Sequence, residues 1–156
     1  MPNASTSKLD IKFYHLQRQT LAEALPKLME RVQGAGLKAV VKVANDDVCT
    51  ALDKALWSYR DNSFLPHDKE GCDHPEDQIV YLTTGDENPN GSTCLVLVDA
   101  VKSPDNAGYD RLMYMFDGRN ADIVTKARED WKTFKGGGFE MSYWQETEQG
   151  GWEKKA

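Results

Sequence analysis

Three side chains able to ligate a metal or act as nucleophile or base fall within eight residues of this chain: His67, Cys72 and His74. A structural zinc site asks for four nitrogen or sulfur ligands in paired spacing. The trio offers three in an acidic loop, so a polar loop explains them better than a metal centre. A cysteine nucleophile needs a base within hydrogen-bond reach, and nothing in the spacing of Cys49 or Cys94 relates either to His15, His67 or His74. On a predicted helix and strand, the two thiols fit small buried side chains. The carboxylate pairs Asp46/Asp47 and Asp86/Glu87 stand where a helix cap and a turn are needed. Phosphate chemistry would call for glycines at the first strand-to-helix turn. That turn is Gln17-Arg18-Gln19-Thr20, and Gly34-x-Gly36 lies at the opposite, helix-to-strand junction. No Walker pattern occurs. The expectation is no catalytic constellation, no metal and no cofactor, with a nucleotide-binding α/β enzyme of unknown substrate as the alternative.

Binding chemistry is better represented. At about 100° per residue, Arg128, Lys132 and Lys135 share one stripe of a helix predicted over residues 120–135. Ile123, Ala127 and Phe134 form a separate apolar face, and Trp131 lies between the two. Cations beside an aromatic wall suit an acidic peptide that ends in an apolar residue. A solvated charged face and a boundary core tryptophan are the plainer explanations. A second concentration of apolar area, Trp57 with Phe64, Leu65 and Pro66, falls at a helix end and the turn after it. In a loop such area must pack on the core or on a partner.

The elements that position these residues alternate. Strand Lys12–Leu16 precedes a helix opened by a capping box, Thr20-Leu21-Ala22-Glu23, with Leu21, Leu25, Leu28, Met29 and Val32 as its apolar stripe. Strand Lys38–Val43 leads to a helix capped by Asp46 or Asp47. A turn-rich acidic segment, residues 60–77, then precedes strands Ile79–Thr84 and Thr93–Val98, which the Asn88-Pro89-Asn90-Gly91 turn would make neighbours. Strand Leu112–Phe116, the helix 120–135 and strand Phe139–Trp144 follow. The pattern predicts an α/β fold: a single Rossmann-like open sheet, largely parallel, flanked by helices. Residues 1–10 read as a disordered lead, 11–145 as one domain and 146–156 as a flexible polar tail.

Bulk composition narrows the partners. A chain of 156 residues, 40% hydrophobic and 28% charged, is an ordinary globular length and make-up. Between Pro66 and Pro89 lie seven acids against one base, so that segment alone carries the formal charge of −6. The rest is balanced, which leaves no field for holding a duplex through many phosphates. Three cysteines, odd in number and without a Cys-x-x-Cys pair, fit a reducing compartment. With no secretory signal in Met1–Asp10, a cytoplasmic protein is expected.

Phe13-Tyr14-His15-Leu16, Leu52-Asp53-Lys54-Ala55-Leu56-Trp57, Ser63-Phe64-Leu65-Pro66-His67 and the closing Gly138-Phe139 together resemble the chi subunit of bacterial DNA polymerase III holoenzyme. The specific part is Leu-Asp-x-x-Leu-Trp followed by Ser-Phe-hydrophobic-Pro-His. The resemblance implies a non-catalytic accessory of the clamp-loader assembly with a Rossmann-like fold and no nucleotide cofactor. It further implies a grip on the acidic C-terminal tail of single-stranded DNA-binding protein, attachment to the loader through a psi subunit or another loader or helicase protein, and only indirect contact with DNA. Carried over by motif, the tail site falls on Arg128, Trp131 and Lys132, with Lys135 extending the stripe, and the psi-facing surface on Trp57, Phe64, Leu65 and Pro66. Trp131 stands where the family often has tyrosine, which keeps the aromatic wall and loses a hydroxyl.

Overall fold

The computed structural model describes residues 9–58, 67–69, 74–85, 87–99, 101, 109–137, 139–149 and 151–155. In chain order the elements are β1 (Asp10–Leu16), α1 (Leu21–Gly34), β2 (Ala39–Lys42), α2 (Asp46–Ser58), β3 (His67–Lys69), β4 (Val80–Thr83), β5 (Cys94–Val98), β6 (Arg111–Asp117), α3 (Ala121–Gly136), β7 (Glu140–Glu146) and β8 (Trp152–Lys154). The strands form one sheet in the order β3-β4-β2-β5-β6-β1-β7-β8. Every pairing is parallel except the last, β7 with β8. The expected α/β architecture, one largely parallel open sheet with flanking helices, is what the chain adopts.

Both faces of a parallel sheet are covered, so its central strands are apolar on both sides. Tyr14, Leu16, Val41, Leu82, Val96 and Met115 pack under α1 and α2. Ile11, Phe13, Val40, Leu95, Leu112 and Tyr114 belong to the opposite core, which α3 joins through Ala127, Ile123, Val124, Trp131 and Phe134. The capping box forms as expected: the Glu23 amide donates to Thr20 Oγ1 (3.2 Å) and the Thr20 amide to Glu23 Oε1 (2.9 Å). Gly36, at φ +75°, closes the same helix in the left-handed region that favours glycine.

Five local expectations are corrected. Strands β4 and β5 are not neighbours, because β2 lies between them and pairs with both. The 84–93 connection instead carries Asn90, whose buried amide donates to Gln78 O (3.0 Å) and Ala39 O (3.3 Å) at the amino ends of β4 and β2. Helix α2 is capped by Asn45, whose Oδ1 accepts from the Val48 amide (3.0 Å), while Asp46 and Asp47 occupy its first turn. Within the segment read as turn-rich, residues 67–69 add the edge strand β3 beside β4. Leu9 and Asp10, assigned to a loose lead, are a buried core residue and the first residue of β1. Residues 146–156, expected as a flexible tail, carry the end of β7 and strand β8, with Trp152 packed edge-on against Tyr14 at 5.1 Å. Apolar burial by one tryptophan outweighs the polarity of its neighbours there.

Candidate functional site

Helix α3 begins at Asn120, whose side chain accepts from the Asp122 and Ile123 amides (3.1 and 3.3 Å), and carries Lys135 in its last turn, where a cation complements the helix dipole. Its inner face rests on an aromatic cluster. Phe13 stacks on Tyr114 with centroids 4.3 Å apart and receives Trp131 edge-on at 5.2 Å. Trp131 also meets Tyr143 of β7 edge-on at 5.5 Å. Trp131 is therefore half-buried: its inner edge is core and its outer part lines the helix–β7 boundary.

Asp130 is the unexpected member of this helix. It is 8% exposed, and its carboxylate accepts a short hydrogen bond from the Tyr114 hydroxyl. Burial, reinforced by this carboxylate, pushes the Tyr114 phenol far above its ordinary range. Asp130→Ala would strand that hydroxyl in the core, at an expected cost of about 1–3 kcal/mol by chemical denaturation. The double change Asp130→Ala with Tyr114→Phe is expected to recover part of the loss.

Arg128, Lys132 and Lys135 are exposed. Among the described residues no carboxylate pairs with any of the three. Arg128 lies close enough to His15 and Tyr143 for its charge to act on both. His15 Nδ1 and the Tyr143 hydroxyl share a 2.6 Å hydrogen bond, and the imidazole leans on Phe116 at 4.9 Å. Burial first and the Arg128 guanidinium second hold the His15 pKa below its ordinary 6.5. The unfolded chain then binds the proton more readily, so the stability this histidine contributes is present above pH 6.5 and falls as the pH drops through that value. Melting temperatures across that window should fall less steeply in His15→Gln than in the parent.

Beyond Trp131, Phe134 meets Phe139 edge-on at 6.1 Å, and Phe139, 38% exposed, is the large apolar side chain left most open among the described residues. The stripe residues and Phe139 are exposed, and Trp131 and Phe134 half-buried, along α3 and the segment after it. His15, Tyr143 and Phe139 were not picked out as site residues from sequence. The alternation of β7 placed Tyr143 on a sheet face, but which helix covers that face is a tertiary property.

The second surface is only partly placed. Trp57 lies in the last turn of α2, while its side chain and residues Phe64, Leu65 and Pro66 lie outside the described residues. Of the metal-capable trio, Cys72 and the His67 side chain also lie outside them. His74 sits with Glu76 (3.6 Å) and Asp77 on an exposed turn. Cys49 and Cys94 are buried thiols outside any disulfide, as expected, and burial raises the Cys94 pKa, which makes it a poor nucleophile. An open cavity of about 640 Å³ between α2 and β4 is lined by Asp46, Cys49, Thr50, Lys69 and Thr84. Its lysine is already directed at Thr50 Oγ1 (3.4 Å). No helix among the described residues is long and apolar enough to cross a membrane.

The fold and this surface define a class: an open, largely parallel α/β domain whose most distinctive exposed feature is a basic, aromatic helix face. Residues 9–142 match the family model of the DNA polymerase III chi subunit, HolC, and the chain belongs to that family. A probable DNA polymerase III subunit chi from Rickettsia prowazekii (strain Madrid E) is 28% identical over 85 residues, 54% of this chain and 52% of the relative. The matched region thus spans about half the length of that curated relative. Family membership relates the chain to a subunit of DNA polymerase III.

Proposed function

We propose that this chain is a non-catalytic chi-type subunit that binds the acidic C-terminal tail of single-stranded DNA-binding protein on α3 and links it to the clamp loader. What carries the reading is the Arg128–Lys132–Lys135 stripe, without a carboxylate partner among the described residues, beside a half-buried Trp131. Arg128 forks onto the peptide's terminal carboxylate, Trp131 walls the last apolar side chain, and Lys132 and Lys135 meet upstream aspartates. Phe13, itself stacked on Tyr114, and Tyr143 hold the indole from behind, so little ordering of the wall is left to binding. The loader side falls to the surface of Trp57, Phe64, Leu65 and Pro66, facing a psi-type partner. DNA is reached only through the tail-bearing protein, in keeping with a net charge of −6.

One aromatic burial of about 1.5–3 kcal/mol and one charge-assisted bond of similar size supply about 3–6 kcal/mol before ordering costs, so these two contacts alone give a Kd on the order of 0.1 mM or weaker. The test is a fluorescence titration of a labelled acidic tail peptide against the parent, Arg128→Ala and Trp131→Ala. Parent-like affinity in both variants at low salt would overturn the assignment. Raising salt from about 0.01 M to about 1 M shortens the screening length from about 30 Å to about 3 Å, and should weaken the parent's affinity by about tenfold. An affinity unchanged across that range would point to an apolar contact elsewhere.

A further inference from the structure

Strands β1 and β6 are neighbours whose chain paths part at their carboxyl ends. β1 continues through α1 on one face toward β2, and β6 through α3 on the other face toward β7. Such a divergence opens a crevice, and in open α/β sheets this crevice is where nucleotides and other ligands bind. At the rim of that crevice the β1–α1 turn meets a carboxylate from β7, the strand on the other side of β1. Glu146, the last residue of β7 and 3% exposed, turns its carboxylate onto the β1–α1 turn. Oε1 accepts from the amides of Gln17 (2.9 Å), Arg18 (2.6 Å) and Gln19 (3.0 Å), and Oε2 from the Gln19 amide (3.2 Å) and side-chain Nε2 (2.7 Å). Successive amides turned to one anion make the concavity that elsewhere cradles phosphate, here at the positive end of α1.

The other side of the turn is matched in charge. Arg119 extends Nη1 and Nη2 to the carbonyls of Arg18 (3.4 Å) and Gln19 (3.5 Å), while its Nε is fixed on Asp117 Oδ1 (3.0 Å). Between the strands the packing is closed: a Cβ built on Gly118 would fall 2.0 Å from His15 Nε2 and 2.5 Å from Leu16 O. The amides of this turn therefore face a carboxylate, its carbonyls face a guanidinium, and no side chain fits at the β6 end.

We propose that Glu146 is a built-in occupant of the anion-binding nest formed by the β1–α1 turn amides, a latch that ties β7 to that turn. It follows that the nest accepts a phosphate oxyanion once the carboxylate side chain is removed. The latch uses no residue of the α3 stripe, so it stands or falls separately from peptide binding.

The full chain, Glu146→Gln and Glu146→Ala are melted in inorganic phosphate and in chloride at matched ionic strength. The parent is expected to melt alike in both. Both variants should melt lower in chloride, and phosphate should raise the melting temperature of the alanine variant by several degrees in a saturable way. The glutamine variant, its nest still filled, should show no such gain. If the alanine variant does not fold in chloride, refolding in phosphate is the readout, and failure to recover there overturns the proposal. Parent-like melting of both variants in chloride, or an equal phosphate effect on all three proteins, also overturns it.

Discussion

Phe13→Ala is expected to destabilise the fold by about 3–5 kcal/mol in urea or thermal unfolding. Phe13 is fully buried at the centre of the sheet, stacked on Tyr114 and flanked by Phe116, Trp131, Phe134 and Tyr143 at 5.2–6.4 Å. Removing its ring leaves a cavity whose walls are other rings, which are planar and relax poorly into the space. A native stability of about 5–15 kcal/mol makes this a large fraction of the total. The site should feel it as well, because Trp131 loses the ring that fixes its inner edge. Phe13→Leu, which refills much of the volume, should lose less stability and retain peptide affinity. If the alanine variant unfolds within about 1 kcal/mol of the parent, the aromatic cluster is not what holds α3 to the sheet.

The second large effect is on binding. Arg128→Ala should weaken the acidic peptide by tenfold or more, since a charge-assisted hydrogen bond contributes about 1.5–3 kcal/mol. Arg128→Lys keeps the charge but loses the planar fork, and should recover only part of the affinity. Because Arg128 is exposed and carries no ion pair among the described residues, its removal should leave the melting temperature near the parent's. Trp131→Ala differs in kind: it should lower both affinity and stability, because the indole serves wall and core at once. A variant set in which Arg128→Ala lowered stability as much as Trp131→Ala would contradict this division.

Charge proximity links the two effects. Arg128 acts on His15 and Tyr143, and those two groups share a hydrogen bond. Helix α3 thus touches the sheet through a cation near a neutral imidazole as well as through rings. Acidification that protonates His15 would first place a charge in a half-buried site and second set it against the Arg128 guanidinium, which is the physical content of the pH dependence expected above.

The sequence by itself determined what depends on near neighbours. Helical periodicity set Arg128, Lys132 and Lys135 on one face and Ala127 and Phe134 on another, because a residue's angle around a helix is fixed by its spacing alone. Thr20 and Glu23 satisfied each other's backbone, since both partners lie within one turn. The strand expected over Thr93–Val98 forms as β5, Cys94–Val98, and its continuous apolar run is buried throughout.

Tertiary structure alone decided the rest. That β2 separates β4 from β5 depends on pairings that every apolar strand in the sheet could satisfy equally well. Asp130 is buried because the Tyr114 hydroxyl meets its carboxylate across the core, a pairing of residues on different elements. Glu146 looked like the start of a loose tail, yet its partners Gln17, Arg18 and Gln19 lie 127–129 residues earlier in the chain. A carboxylate's identity says that it needs donors, and local spacing can name them only within a turn or two. Donors a hundred residues away are chosen by which strands the sheet brings together.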